Sequence, residues 1–200
     1  MCGHKNVFGR GDLGGRLCAE VVFMSAPSAE EWLEREDTVA REGRLARLEW
    51  IAAQIPEVDW MVFGCGPISK YVFEEARYCY VYGQFLASIM LGLAFVEMSL
   101  AGAFYGAGRN DLQRRGIKDL AREALGYGWL TQTDFDILER VRKLRNPVTH
   151  FRPPADPERV EMRAVIEQCS HDYEVIENDA REVMEAVFHL FTKVVPIAYR

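Results

Sequence analysis

The sequence predicts an all-α fold, a single-domain helical bundle of five or six helices with an irregular N-terminal extension. Apolar residues recur at helical spacing in several segments, and two capping-box patterns mark helix starts at Ser28 and Thr131. With 49% hydrophobic and 27% charged residues, the 200-residue chain has the composition of a folded domain with its own core. We expect residues 1–68 to form the extension and first helix, and residues 69–200 to form the bundle.

The first helix is predicted from a start signal and a stop signal. Ser28 and Glu31 have the spacing at which serine and glutamate side chains satisfy each other's backbone N–H groups. Pro56 predicts an end at about residue 54. A patchy apolar stripe connects the two signals, at Trp32, Val39, Leu45, Leu48 and Ile51. Before this helix, five glycines among the first fifteen residues predict a loop or an arm.

A long apolar helix is predicted over residues 70–105. Its segment 81–105 contains only Gln84, Ser88, Glu97 and Ser99 as clearly polar side chains. The length would suffice to cross a bilayer, which takes about 20 apolar residues. However, a charged residue such as Glu97 is costly in a membrane, and the sequence has no second hydrophobic span. We therefore expect the buried central helix of a bundle, and a membrane-associated helical protein is the alternative.

Four further helical segments are predicted after this helix. An amphipathic segment covers residues 112–125, with an interruption at Gly116, and a capped helix covers residues 131–144. An aspartate followed by a proline predicts a helix over residues 156–169, and apolar spacing predicts a final helix over residues 179–195.

Net charge and cysteine content limit which partners and which cellular compartment the sequence predicts. The net charge is -6, yet residues 109–152 contain ten Lys and Arg against six Asp and Glu. This basic segment is compatible with an anionic ligand, and equally with a solvated helix face. Five cysteines without a CxxC pair, and an N-terminus without an apolar signal segment, predict a cytoplasmic protein. Cys2, His4 and Cys18 lack a fourth ligand at zinc-like spacing, so we predict no metal and no cofactor.

The hexapeptide Arg-Asn-Pro-Val-Thr-His at residues 145–150 is the strongest functional signal. Pro147 cannot donate to a helix ladder, so the helix axis should break beside Arg145. Asn146 is a suitable N-cap for a new turn. Histidine can exchange a proton at neutral pH, and arginine binds phosphate through a planar fork of donors. Arg145 and His150 can therefore serve metal-independent cleavage of RNA, as phosphate clamp and as general acid or base.

Arg145 and His150, with four residues between them and a polar residue directly after the arginine, resemble the Arg-x(4–6)-His signature of the HEPN superfamily. The helix order over most of residues 70–195 resembles that family as well. The resemblance implies a metal-independent endoribonuclease, as found in toxins and in phage defence. It implies that Arg145 and His150 are catalytic and that Asn146 shapes the site. It also implies an acidic or polar residue of the long helix that faces the motif. Glu97 is the candidate for it, and a helix-end glutamate that reaches solvent is the alternative. The resemblance also implies a homodimer with a composite cleft, and an antitoxin or regulatory partner.

Three further cations flank the motif and are candidate RNA contacts: Arg142, Lys143 and Arg152. A solvated helix face is the competing interpretation of the first two. The alternative function is a non-catalytic HEPN module that binds RNA, a nucleotide or a protein partner. In such a module the motif would mainly organise the dimer.

Overall fold

The computed structural model describes residues 27–54, 63 and 65–197, and every regular element in that part of the chain is helical. The all-α prediction is therefore confirmed. The helices are α1 Ala29–Gln54, α2 Pro67–Val81, α3 Phe85–Gly106, α4 Ile117–Gly126, α5 Gln132–Leu144, α6 Asn146–Thr149, α7 Val160–Ile166 and α8 Asp172–Ile197. A 3-10 turn, Asn110–Leu112, precedes α4. The predicted count of five or six was slightly low for these residues, because one long helix divides and α6 is a separate four-residue turn.

The long helix predicted over residues 70–105 is two helices, and that prediction was wrong. α2 ends at Val81, and Gly83 adopts a left-handed backbone conformation with φ of 76°. The N–H of Gln84 donates to the carbonyl of Cys79 at 2.7 Å, and the N–H of Gly83 donates to Tyr80 at 3.2 Å. These bonds form a Schellman motif, which ends a helix irrespective of how apolar the following residues are.

The core lies where α2, α3 and α8 meet. The ring centroids of Phe73 and Phe95 are 5.1 Å apart, and that of Phe191 lies 5.2 Å from Phe73. α3 has the length and composition of a membrane span, the one such helix in the described residues, and 44% of its hydrophobic window is buried in the fold. Gly92 of α3 faces α8 so closely that an added Cβ would lie 2.8 Å from Val183 Cγ1.

The helix α1 has the predicted bounds, and both hydrogen bonds of its capping box are present. Its C-terminal half docks on the bundle. Ile51 is buried, and the ring of Trp50 lies 5.2 Å from that of Tyr80. Arg47 donates to the carbonyl of Val81 and to Glu177 of α8, each at 3.1 Å.

The N-terminal half of α1 extends past the bundle, and residues 29–39 are all exposed. The apolar stripe predicted for α1 is therefore mostly uncovered. Trp32, Val39, Leu45 and Leu48 are at least half exposed, and of the stripe only Ile51 is buried. Of this stripe, only Ile51 near the C-terminal end belongs to the core.

α4 and α5 form a second pair of helices that packs on the core. The predicted interruption at Gly116 is confirmed, since α4 begins at Ile117. The capping box at Thr131 is confirmed as well, with Asp134 as its acidic partner. Leu138 and Val141, apolar residues three positions apart on α5, are both buried.

The last two helices differ from the predicted bounds. The predicted start at Asp156 is a turn in which its Oδ1 accepts the N–H of Glu158 at 2.9 Å, and α7 begins at Val160. α8 begins at Asp172, before the predicted residue 179. Its start is capped by His171, whose Nδ1 accepts the N–H of Glu174 at 3.1 Å.

Candidate functional site

The hexapeptide joins two helices through a break at Arg145. α5 ends at Leu144 and α6 begins at Asn146, so the predicted change of element beside Arg145 is present. Asn146 is, however, the first helical residue and not the N-cap, and no side chain caps α6. Pro147 falls in the first turn of α6. A backbone N–H at that position would have no acceptor within the helix, so proline loses no hydrogen bond there. The single turn is held by the carbonyl of Arg145, which accepts both the N–H and the hydroxyl of Thr149.

Neither proposed catalytic side chain has a hydrogen-bond or ion-pair partner among the described residues. Arg145 is half-buried and His150 is exposed, where the chain leaves α6 with extended geometry. Neither side chain makes a hydrogen bond or an ion pair with any described residue. Both groups are therefore available to an external ligand.

His150 lines a cavity of about 330 Å³, which we call the His150 cavity. Its apolar wall consists of Pro147, Phe151, Val160 and Ile176. This volume lies at the lower end of the range of about 300–1,000 Å³ that small-molecule sites occupy. Arg145 is not among the residues that line it, so the two motif side chains do not share this cavity within one copy.

The ionisable residues that line the His150 cavity are His150, Arg152, Arg159, Glu161 and Asp172. Both arginines already have carboxylate partners. Arg159 donates to both oxygens of Glu161, at 2.7 and 2.8 Å, and these hydrogen bonds lower the pKa of Glu161 to about 2. Asp172, by contrast, is exposed, and its side chain makes no hydrogen bond or ion pair with the described residues.

The three predicted RNA contacts differ in availability. Arg142 donates to both carboxylate oxygens of Glu139, at 3.0 and 3.1 Å, and these bonds lower the pKa of Glu139. Arg152 pairs with Asp156 at 3.4 Å and with Glu158 at 2.8 Å. Lys143 is exposed and has no ion pair in the described part of the chain. Lys143 and Arg145 are thus the unpaired cations beside the break.

Glu97 lies on α3, where its Oε2 accepts the N–H of Ile117 at 3.1 Å. Ile117 is the first residue of α4, so this carboxylate caps a helix start. Within the described residues no hydrogen bond or ion pair joins Glu97 to the hexapeptide. The structure gives this side chain a capping contact, and its role beside the motif stays a prediction.

A buried polar cluster at the start of α5 was not predicted from the sequence. Asp134 is only 2% exposed, and its carboxylate receives Lys193 Nζ at 2.7 and 2.8 Å. His189 Nε2 lies 2.6 Å from Asp134 Oδ1. The available signal was the spacing of His189 and Lys193, which places both on one face of a helix.

The residues that line the His150 cavity beyond Arg152 were not predicted from the sequence either. Arg159, Glu161 and Asp172 follow His150 by 9, 11 and 22 residues and lie outside the motif, so no local pattern connects them to it. Phe151 carried a visible signal, because it is an aromatic residue between His150 and Arg152, two of the predicted site residues. It is 88% exposed.

Metal ligands are not grouped in the described residues, where no set of three His, Cys, Asp or Glu side chains could hold an ion. Cys2, His4 and Cys18 lie outside those residues.

No protein-family model matches the chain, and neither a curated protein nor a solved structure matches it.

Proposed function

We propose that this protein is a metal-independent endoribonuclease of HEPN type that acts in the cytosol on single-stranded RNA. The observation that carries the proposal is the pair of uncommitted groups at the helix break. His150 is exposed, Arg145 is half-buried, and neither side chain is paired with any other described residue. The resemblance of their spacing to the HEPN signature adds to this observation. It also suggests a role as a toxin or in phage defence, with an antitoxin or another regulatory partner.

The proposed reaction needs a base, an acid and a cation. The 2′-hydroxyl oxygen attacks the adjacent phosphorus while a base removes its proton. The bond from phosphorus to the 5′-oxygen breaks, and an acid protonates that leaving oxygen. The products are a 2′,3′-cyclic phosphate end and a 5′-hydroxyl end. Imidazole can act as base or acid, and the guanidinium of Arg145 stabilises the charge on the phosphoryl oxygens.

One copy of the chain supplies one His150, whereas attacking and leaving oxygens lie on opposite sides of the phosphorus. Two copies would supply two imidazoles, one for each side. We therefore propose a homodimer in which both hexapeptides border one cleft. Lys143 is the unpaired flanking cation best suited to contact the RNA backbone, since Arg142 and Arg152 are engaged by carboxylates.

The test is RNA cleavage by the purified protein in EDTA. We expect products with 2′,3′-cyclic phosphate ends. His150→Ala should lower kcat/KM by about 10²–10⁴-fold, as loss of a general acid or base does. Arg145→Ala should lower it by about 10²–10³-fold, as loss of a charge-stabilising donor does.

Arg114→Ala is the matched control, because Arg114 is exposed and has no ion pair among the described residues. It removes one positive charge, as Arg145→Ala does, but it leaves residues 145–150 unchanged. Its activity should equal that of the wild type. Full RNase activity in a folded His150→Ala preparation would rule out the proposal.

A non-catalytic module that binds RNA, a nucleotide or a protein partner is the second candidate. It is favoured by one observation, namely that Arg145 does not line the cavity that His150 lines. Binding of RNA by the wild type without any product, in the same experiment, would select this candidate.

A further inference from the structure

Phe151 is an exposed aromatic side chain that lines the His150 cavity. It is 88% exposed, the highest exposure among the large hydrophobic residues that the structure describes. It directly follows His150 in sequence and lines the His150 cavity. An exposed aromatic ring beside a cavity offers a flat surface on which a nucleobase can stack.

The charge pairing in the His150 cavity argues for an uncharged ligand group. Arg152 is neutralised by Asp156 and Glu158, and Arg159 is neutralised by Glu161. A phosphate entering the cavity would therefore have to compete with carboxylates for each arginine. A neutral planar group would leave these ion pairs intact and would contact the apolar wall.

Asp172 supplies the polar contact that such a group would need. It is exposed, it lines the cavity, and its carboxylate accepts no hydrogen bond from a described residue. An ionised carboxylate only accepts hydrogen bonds. Guanine presents two adjacent donors, N1–H and N2–H, which fit the two oxygens of one carboxylate. Uracil presents a single N–H between two carbonyl oxygens, which a carboxylate would repel.

We propose that the His150 cavity is a nucleobase subsite with a preference for guanine, in which the base stacks on Phe151 and donates to Asp172. This inference rests on the proposed RNA substrate. It assigns the cavity to a base of the bound strand, and it leaves the phosphate to the unpaired cations Lys143 and Arg145. The enzyme would then cut next to guanine more often than next to uracil.

The experiment measures binding separately from cleavage. Dissociation constants of GMP and UMP are measured by titration calorimetry or NMR shift titration for the wild type, Phe151→Ala and Asp172→Asn. The wild type should bind GMP at least about tenfold more tightly than UMP, as expected for two-point recognition of a base edge. Phe151→Ala should raise the dissociation constants of both nucleotides by about fivefold to a hundredfold, because stacking is largely independent of base identity. Asp172→Asn should remove the GMP preference and retain UMP binding.

Two control variants carry the same chemical changes away from the cavity. Tyr105→Ala removes an aromatic ring that is 63% exposed, and Asp136→Asn neutralises an exposed aspartate on α5. Neither should alter nucleotide binding. Thermal unfolding of each variant shows that the fold is retained.

The outcomes separate this inference from the proposed function. Equal binding of GMP and UMP, or equal binding by the wild type and both cavity variants, overturns the guanine subsite even if RNA is cleaved. Absence of nucleotide binding also overturns it. GMP selectivity that depends on Phe151 and Asp172, with no RNA cleavage, supports the subsite and contradicts the proposed endoribonuclease.

Discussion

At the scale of single residues, Asp134 joins α5 to α8 through one buried carboxylate. It closes the capping box with Thr131 and also receives the side chains of Lys193 and His189. Burial acts to raise its pKa, but the hydrogen bonds from Lys193, the Thr131 backbone and His189 outweigh burial, so the pKa lies well below its usual range. A carboxyl group whose pKa is lower in the folded than in the unfolded chain stabilises the fold at neutral pH.

This stabilisation should be lost in acid. It is fully present above the unfolded-state pKa of about 4 and decreases as pH falls toward the folded-state pKa. Asp134→Asn should lower the free energy of unfolding at pH 7 by about 1.5–3 kcal/mol, the usual range for hydrogen bonds to a charged group. Denaturant unfolding at pH 7, 5 and 3 should show the gap between wild type and variant shrinking at the lowest pH.

Asp136→Asn provides the comparison, since Asp136 is an exposed aspartate on the same helix. Its stability should stay close to that of the wild type across the same pH range. A gap between wild type and Asp134→Asn that is constant from pH 7 to 3 would contradict the proposed linkage.

Residue types and spacing predict the motif but not its surroundings. Arg145 and His150 stand out because a proline break follows a capped helix. Asp172 becomes part of the same site only because α8 folds back beside the hexapeptide. The contact is set by tertiary packing, which local patterns do not encode. The same reason hides Lys193, which reaches Asp134 from 59 residues away.

At the scale of helices, α3 packs tightly against α8 at Gly92. An added Cβ would lie 2.8 Å from Val183 Cγ1 and 3.3 Å from Val187 Cγ2. Both valines are fully buried, so they have no free space into which to move. The glycine lowers helix propensity, but it lets the two helices approach closely.

Gly92→Ala should therefore destabilise the protein, although alanine favours a helix. Overpacking a tight core costs about 1–3 kcal/mol, which exceeds the gain in helix propensity of about 1 kcal/mol. Gly126→Ala is the matched control, because a Cβ at this last residue of α4 would meet no atom within 4 Å. In urea, we expect the unfolding midpoint to fall for Gly92→Ala and to stay level or rise for Gly126→Ala. A rise for both would contradict the assigned packing.

Local capping signals predicted some helix ends and not others: the two capping boxes are present, whereas Asp156 begins a turn and Asn146 is not an N-cap. Ser28 and Thr131 cap their helices as predicted, since each partner lies three residues away. The end of α2 was missed because apolar residues continue on both sides of Gly83. The start of α8 was missed because its cap is His171, a residue type seldom used for capping.

At the scale of the whole molecule, the proposed composite site requires residues from both copies of a dimer for activity. Two copies would each contribute one His150, so a pair containing one His150→Ala copy would lack either its acid or its base. In a symmetric dimer both copies face the same cleft.

Mixing the two proteins tests this arrangement. After subunit exchange between equal amounts of wild type and His150→Ala, random pairing leaves about one quarter of dimers intact. The mixture should then retain about one quarter of the activity of wild type at the same total protein concentration. Independent copies would retain about one half, and that result would contradict a shared site. Arg114→Ala in place of His150→Ala should leave full activity.

The fluorescence of Trp50 can report whether α1 is docked on the bundle. Its indole ring lies 5.2 Å from Tyr80, 6.2 Å from Phe188 and 5.0 Å from the guanidinium carbon of Arg181. Trp50 belongs to α1, whereas these three neighbours belong to α2 and α8. The colour and intensity of its fluorescence therefore depend on α1 being docked. Release of α1 would be visible in emission spectra without any opening of the core between α2, α3 and α8.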